Sequence, residues 1–283
     1  MKRLKIFVST LFIMSSFAFA EDLITSKFIK GDIPLDPTSK VWNNVKEVEI
    51  TLAGQAVTTP SELTPSVEKI KIKSINNGEE IAFLLIWDDK TKDIFRTNNK
   101  FSDAVAVQIP YHADPTTPIT MGEPGKGVLI LHWQAFRQEN IEHGYSDLGK
   151  IEPNYAIDWY PHAVSPYNYP EDWHNQYALN YIGGEKTYLK NTLNTPVREI
   201  VAEGFGSTTW KTIQSSDGKG IYKDGKWYVE IKRKFFVGNT VNPEWGPGKE
   251  TFVTFAVWDG SQGERGSRKS LGYTWIKLKI EGK

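Results

Sequence analysis

The chain has 283 residues, and its 34 Lys and Arg balance its 34 Asp and Glu, so the formal net charge is zero. A neutral balance gives no sign of a nucleic-acid or anionic-membrane partner. The absence of cysteine excludes disulfides, iron–sulfur clusters held by thiolates and the CxxCH attachment site of covalent c-type haem.

The N-terminus is typical of a secretory signal. Lys2, Arg3 and Lys5 precede an apolar run over 6–17, and Ala18-Phe19-Ala20 forms a small-x-small cleavage site. The apolar run is too short to span a bilayer, and no later segment approaches that length. We expect a cleaved signal, with an uncleaved anchor as the alternative.

Removal of this segment places the protein outside the cytoplasmic membrane, most simply in a bacterial periplasm. The expected products are a signal peptide at 1–20 and one domain at 21–283 with no membrane span. A chain of that size suffices for one large β domain.

Alternation of polar and apolar residues dominates the chain from position 46 onward, which favours strands over helices. Asn76-Asn77-Gly78 and Asp224-Gly225 suit the turns of two β-hairpins. Pro110 ends one strand, and the nearly continuous apolar run over 127–134 predicts a strand buried on both faces. These short strands predict an antiparallel β-sandwich. The predicted strands cover 46–52, 67–75, 80–87, 104–109, 127–134, 220–222, 227–232, 251–258 and 273–280.

The segment over about 138–201 has no clean period and is rich in Tyr and Trp. We interpret it as a long insertion into the sandwich, with short helices around 171–181. Long loops in compact domains are usually functional. The aromatic residues could form a protein interface, bind a ligand by stacking, or cover the sandwich as a satellite core.

Met121 would be the only methionine after signal removal, because the other two are Met1 and Met14. It lies beside a glycine, after a proline-rich loop and before an apolar strand. Two interpretations remain open from the residues alone: ordinary core packing, or a soft axial ligand to haem iron.

Seven sequence blocks in order closely resemble the haem-binding gamma subunits of the ethylbenzene dehydrogenase type. That group includes the gamma subunits of dimethyl sulfide dehydrogenase, selenate reductase, chlorate reductase and related nitrate oxidoreductases. Each block alone is weak, but their joint order is specific and extends from Trp42 to Lys279. The blocks are LLIWDDKTKD (84–93), FSDAVAVQIP (101–110), PITMGEP (118–124), VLILHWQA (128–135), AEGFGSTT (202–209), GKGIYKDGKWYVEIKRKF (218–235) and FAVWDGSQGERGSRKSLGYTW (255–275).

The resemblance implies a DOMON-like β-sandwich that holds one haem b without covalent attachment. Its iron would be ligated by a methionine, which corresponds to Met121, and by a lysine. We expect Lys211 as that lysine, with Lys219 as the alternative. Either could instead be an exposed surface lysine.

The resemblance also implies a role in electron transfer without substrate chemistry. The expected partners are a molybdopterin-containing alpha subunit, an iron–sulfur beta subunit and a soluble c-type cytochrome as the external carrier. Two alternatives remain, namely a periplasmic carbohydrate-binding β-sandwich module without haem and a stand-alone cytochrome b.

Other side chains are weaker candidates for a site. His132 either faces the haem pocket or is a hydrogen-bonded structural residue. Arg265 and Arg268 either neutralise a haem propionate or are surface charges. His162 and His174, near several carboxylates, lack zinc-like spacing. No catalytic motif is present, and we expect the acidic residues after LLIW to end a strand and cap a turn.

Overall fold

The computed structural model describes residues 23–144, 151, 194–238 and 240–283. The signal segment, the predicted helices around 171–181 and the pair His162 and His174 lie outside the described residues. No helix within the described ranges is long and apolar enough to cross a membrane.

The described chain is built mainly of β-strands, as the alternation predicts. One helix, α1 (Ala135–His143), directly follows a strand, and short 3-10 turns cover Lys40–Asn44 and Gly260–Gln262. The strands are β1 (Leu23–Phe28), β2 (Val48–Thr51), β3 (Ala53–Gly54), β4 (Lys69–Asn76), β5 (Glu80–Asp88), β6 (Ala104–Pro110), β7 (Val128–Gln134), β8 (Val197–Ala202), β9 (Thr209–Trp210), β10 (Ser216–Lys223), β11 (Lys226–Lys234), β12 (Glu250–Trp258), β13 (Ser270–Leu271) and β14 (Ile276–Ile280).

Hydrogen bonds join these strands in the order β10-β11-β5-β4-β1-β14-β12-β6-β7-β8-β9. The pairing is antiparallel except at β1, which runs parallel to both β14 and β4. The first sheet comprises, in this order, β10, β11, β5, β4, β1 and β14. The second sheet comprises β6, β7, β8 and β9 with the short strands β3 and β13. Strand β12 belongs to both sheets, because residues 250–253 pair with β14 and residues 254–258 pair with β6.

The two sheets enclose one hydrophobic core, which confirms the β-sandwich prediction. Alternate residues of each strand point inward, as the two-residue period requires. Burial of each large aliphatic side chain contributes about 1.5–3 kcal/mol. Core residues of the first sheet include Ile70, Ile72, Phe83 and Leu85, and those of the second include Val105, Val107, Leu129, Leu131 and Trp133.

Two predicted boundaries need correction. Strand β8 lies inside the range assigned to the insertion, yet it pairs with β7 in the second sheet over Val128–Trp133. The helix α1 begins at Ala135, three residues before the predicted start of the insertion. The insertion is therefore shorter at its C-terminal end, because β8 completes the sheet.

Candidate functional site

The outer face of the second sheet forms the floor of a cavity. Cross-strand register places Arg198, His132, Ala106, Ala256 and Leu271 in one row across β8, β7, β6, β12 and β13. Directly opposed residues of an antiparallel pair share a face, so this row points away from the core. Two alanines at its centre leave space above the sheet.

Alternation along β6 explains why a cavity forms here. Val105 and Val107 are fully buried in the core, whereas Ala104 and Ala106 point to the opposite face. Large side chains therefore fill the inside of the sandwich, and small ones line the outside. The apolar run of β7 is correspondingly buried on its core face, while His132 and its neighbours on the other face line the cavity.

Loops close the remaining sides of this cavity, which we call the Met121 cavity. Its volume is about 970 Å³, near the upper end of the ~300–1,000 Å³ range of ligand pockets. The loops contribute Arg96, Phe101, Met121, Phe205 and Lys269. The middle of the floor is apolar, with Ala106, Ile130 and Ala256, and polar side chains from the strands and loops complete the lining.

Met121 lies in the loop between β6 and β7 and has a left-handed backbone, with φ of 75°. A positive φ is unfavourable for a residue with a Cβ atom and requires support from its surroundings. The carbonyl of Met121 accepts a hydrogen bond from the amide of Gly204 at 2.8 Å, and the amide of Gly122 donates to Pro118 O at 2.8 Å. These bonds fix the loop so that the thioether lines the cavity.

Lys269 lies in the loop between β12 and β13 and lines the same cavity. Its Nζ is 5.1 Å from the ring centroid of Trp258. Among the described residues, no hydrogen bond or ion pair to this amine is found. Desolvation by burial lowers the pKa of Lys269 to about 8, which favours the neutral amine.

Met121 and Lys269 come from loops at opposite ends of one antiparallel strand pair. The β6–β7 loop leaves after Pro110, near the end where Gln108 pairs with Thr254. The β12–β13 loop leaves after Trp258, which pairs with Ala104 at the other end. Four residues of β6 separate these ends, or about 13 Å at the usual rise of a strand.

His132 lines the Met121 cavity. The imidazole lies 4.8 Å from the Trp258 ring, centroid to centroid, and its buried Nε2 has no hydrogen-bond partner. The alternative of a hydrogen-bonded structural histidine is therefore not supported at Nε2. Burial, with Arg137 and Lys269 nearby, holds the pKa of His132 well below its usual range.

Lys211 does not lie in the Met121 cavity, which corrects the prediction that it accompanies Met121. Its Nζ is 3.2 Å from Glu199 Oε2 and donates to Val241 O at 3.1 Å. The same carboxylate oxygen is 3.2 Å from Arg233 Nε, and all three side chains are buried. Lys211 therefore belongs to a buried ion-pair cluster that lines a separate cavity.

The alternative, Lys219, also lies outside the Met121 cavity. It is an exposed residue of β10 opposite Glu230 in β11, in the first sheet. Lysines are numerous, and no contact information in the sequence separates them. Lys269 lies in the block FAVWDGSQGERGSRKSLGYTW, and its place in the cavity becomes evident only from the pairing of β13 with β12.

The two predicted arginines differ in position. Arg265 lines the Met121 cavity, with its guanidinium 4.2 Å from the Phe101 ring centroid and Nη1 donating to Gly263 O at 2.6 Å. Arg268 is not among the lining residues. Its Nε and Nη2 donate to Glu62 Oε2 at 3.1 and 2.7 Å, so this guanidinium is already neutralised.

The cavity fits a haem group by its donor set and shape. A thioether and a desolvated amine are the kinds of sulfur and nitrogen ligand that haem iron accepts. The small side chains of the floor, Ala106 and Ala256, leave room for a large apolar ring. Unpartnered polar atoms remain at one side, including Nε2 of His132. Met121 and Lys269 would hold the iron.

Two curated relatives match most of the chain. The "Putative respiratory nitrate reductase heme subunit ORF7" of Haloferax mediterranei is 25% identical over 253 residues, covering 89% of this chain and 71% of the relative. The "Chlorate reductase subunit gamma" of Ideonella dechloratans is 20% identical over 270 residues, covering 92% and 86%.

A solved carbohydrate-binding module of family 9 from Caldicellulosiruptor kristjanssonii, in complex with glucose, is similar with a TM-score of 0.43 and 10% identity, covering 92% of this chain and 96% of that one. The family model described as ethylbenzene dehydrogenase matches residues 39–270. The chain therefore belongs to the ethylbenzene dehydrogenase family, which confirms the resemblance of its sequence blocks.

Proposed function

We propose that this chain is a b-type cytochrome subunit that transfers electrons through one haem b bound in the Met121 cavity. The observation that carries the proposal is that Met121 and Lys269 line the same cavity over an alanine floor. The relatives named as a heme subunit and as a gamma subunit of chlorate reductase support the same function.

Lysine can ligate iron only as the neutral amine, so burial that lowers its pKa favours ligation. Deprotonation of an unperturbed lysine at pH 7 costs about 4–5 kcal/mol. With a pKa of about 8, the cost falls to about 1.4 kcal/mol. The cavity thus removes most of the penalty for amine ligation before any bond to iron forms.

Met121 would hold the haem iron through its thioether, which favours the reduced iron, and Lys269 would hold it through its amine nitrogen. Held in this way, the haem would supply one-electron transfer. Phe205 and Trp258 are two of the aromatic side chains that line the cavity. Catalysis then belongs to a partner subunit.

The proposed setting is a respiratory complex outside the cytoplasmic membrane. The partners are a molybdopterin-containing alpha subunit and an iron–sulfur beta subunit, and a c-type cytochrome is the external carrier. Support comes from the relatives' names and from the signal-like N-terminus.

The first test is the optical spectrum of the purified protein, oxidised and dithionite-reduced, with a pyridine haemochrome. We expect a low-spin b-type spectrum at about one haem per chain. Met121→Leu and Lys269→Leu should each shift the spectrum away from low spin, because each removes one axial ligand.

Lys219→Leu is the matched control, because it removes an exposed lysine outside the cavity and should leave the spectrum unchanged. An unchanged spectrum in Lys269→Leu, with loss of low spin in His132→Gln, would assign the nitrogen ligand to His132 instead. A colourless protein that does not bind added haem would overturn the proposal and leave the carbohydrate-binding alternative.

A further inference from the structure

Three guanidinium groups, those of Arg96, Arg137 and Arg198, lie near Phe136 and His132 beside the Met121 cavity, and Arg96 is the one of the three that lines it. We call them the arginine cluster. Arg96 and Arg137 lie 5.5 and 5.7 Å from the Phe136 ring centroid. The positive charges of all three lower the pKa of His132, so they share one environment.

Two observations place the arginine cluster beside the cavity, namely the strand register and the position of one lining residue. Arg198 in β8 lies directly opposite His132 in β7, on the same face of the second sheet. Arg96 itself lines the cavity. Arg137 lies in the first turn of α1, which continues β7 immediately after the lining residue Gln134. The three residues therefore meet at the β7–β8 side of the floor.

The cluster lacks negative charge among the described residues. Arg137 is only 7% exposed, yet among the described residues its Nε and Nη1 have no hydrogen-bond partner, and neither does Nε of Arg198. No carboxylate of the described ranges forms an ion pair with any of the three. A buried cation without a partner is costly, so a partner is expected.

Burial and mutual repulsion both lower the pKa values of these groups. Burial, with Arg198 and Arg96, lowers the pKa of Arg137 to about 8, and burial with Arg96 lowers the pKa of Arg198 to about 10. Arg198 stacks on Trp210 at 3.6 Å from the ring centroid. An aromatic face offsets only part of the cost, because it satisfies no N–H donor.

We propose that the arginine cluster binds the carboxylate groups of the cavity ligand, which are the propionates if the ligand is haem as proposed above. Guanidinium groups bind carboxylates through paired N–H···O bonds. The cluster offers unpaired donors beside an apolar floor, as a flat ligand with two carboxylates at one edge requires. The inference rests on the proposed function and adds the orientation of the ligand, with its carboxylates toward α1 and β8.

The two arginines expected from the sequence fit this role less well. Arg268 is neutralised by Glu62, and Arg265 lies over Phe101 with one donor used by Gly263. Both belong to the β12–β13 loop, whereas the unpartnered donors lie near β7 and β8. Arg268 therefore supplies a matched control, because it is an arginine of the cavity's surroundings that already has a carboxylate partner.

The test compares iron protoporphyrin IX with its dimethyl ester, which retains the ring and iron but lacks both carboxylates. Apoprotein of the full chain is titrated with each compound, and the dissociation constant is read from the Soret band. Arg137→Gln should weaken the binding of the free acid about tenfold to a hundredfold, the range of a charged hydrogen bond. It should leave ester binding nearly unchanged, and Arg137→Lys should recover part of the loss.

Arg268→Gln removes one positive charge from the β12–β13 loop. It should leave the ratio of the dissociation constants of the free acid and the dimethyl ester as in the wild type. The urea midpoint of the apoprotein checks folding, and Arg137→Gln should not lower it, because the variant removes an unpaired buried charge. Equal weakening of both compounds by Arg137→Gln, or no effect on either, would overturn the inference while the cytochrome assignment stands. Failure of the wild type to bind either compound would overturn the proposed function itself.

Discussion

Met121 combines an uncommon backbone with an uncommon side chain. It and Asp224 are the two non-glycine residues with positive φ in the described ranges. Asp224 lies in the Asp-Gly turn of the β10–β11 hairpin, where a type I′ turn requires that conformation. No hairpin turn accounts for Met121. Strain held at such a position is typical of functional sites, where the side chain must point in one direction.

Three carboxylates form a second unusual group, at the end of β5. One carboxylate oxygen from each of Asp89, Asp103 and Asp259 lies within 4.8 Å of the other two, and all three residues are buried. Asp89 Oδ1 accepts the amide of Thr91 at 3.1 Å, as expected for a residue that caps a turn after a strand. Its Oδ2 has no hydrogen-bond partner. Burial and the neighbouring carboxylates raise the pKa of Asp89 to about 7 and that of Asp103 to about 8.

Asp89→Asn should therefore change how stability depends on pH. Between about pH 4 and 7 the folded state retains a proton on Asp89 that the unfolded state releases, so the free energy of unfolding falls as pH rises. The variant removes this loss and should be more stable than the wild type at pH 8, by up to about 4 kcal/mol, but not at pH 4. Urea denaturation of the apoprotein at both pH values measures the difference.

The adjacent Asp88→Asn is the control. Asp88 is exposed and pairs with Lys226, so its removal should change stability by less than about 1 kcal/mol at either pH. Parallel pH profiles of the wild type and Asp89→Asn would contradict the assignment of a protonated carboxyl to this cluster.

Single residues were predictable from the sequence only where their neighbours lie nearby in the chain. Met121 could be singled out, because its rarity and its flanking glycine are local features. That Lys269 rather than Lys211 lines the Met121 cavity could not be predicted locally, since it depends on β13 returning to β12 and on Glu199 neutralising Lys211.

At the scale of elements, alternation predicted the strands well but not what each face contacts. The Ala-Val-Ala-Val pattern of β6 indicates one face of large and one of small side chains. Small residues can permit close packing of another layer or form the floor of a cavity, and the sequence does not distinguish these outcomes. Five strands of the described chain were not predicted, namely β1, β3, β8, β9 and β13. Strands β3, β9 and β13 are two residues long, and β8 lies within a range whose aromatic and proline content hides its alternation.

Strand β10 depends on a close approach to Trp133 of β7. A Cβ atom on Gly220 would lie 2.3 Å from the Trp133 ring, which is fully buried. Gln138 of α1 connects the two elements: its Oε1 accepts from Trp133 Nε1 at 3.0 Å and from the Gly220 amide at 2.6 Å. The helix, β7 and β10 thus meet at one glycine.

Gly220→Ala should destabilise the protein by about 1–3 kcal/mol, because the rigid indole cannot move aside without disturbing the core. The midpoint of urea denaturation measures the loss. Gly238→Ala is the matched control, since its Cβ would meet no atom within 4 Å. Equal midpoints for the two variants would show that β10 can shift away from β7 without cost.

The whole molecule is coupled through β12, which pairs with β14 by its first half and with β6 by its second. Core residues of both sheets belong to one cluster, so neither sheet retains its hydrophobic packing without the other. The Met121 cavity lies entirely on the second sheet and its loops. Ligand bound there should nevertheless stabilise both sheets, because unfolding of one removes the partner of the other.

Haem removal therefore should lower the stability of the entire domain in one step. With free haem at 100 times its dissociation constant, linkage predicts a gain of about 2.7 kcal/mol in the free energy of unfolding. Thermal unfolding followed by far-UV circular dichroism and by the Soret band should give coincident transitions, and the common midpoint should rise with haem concentration. Loss of the Soret band well before the loss of β-structure would contradict this, because the second sheet would then open while the first remained folded. Coincidence of the two transitions would instead show that a ligand on the second sheet stabilises strands that do not contact the cavity, as expected where β12 and one core join the two sheets.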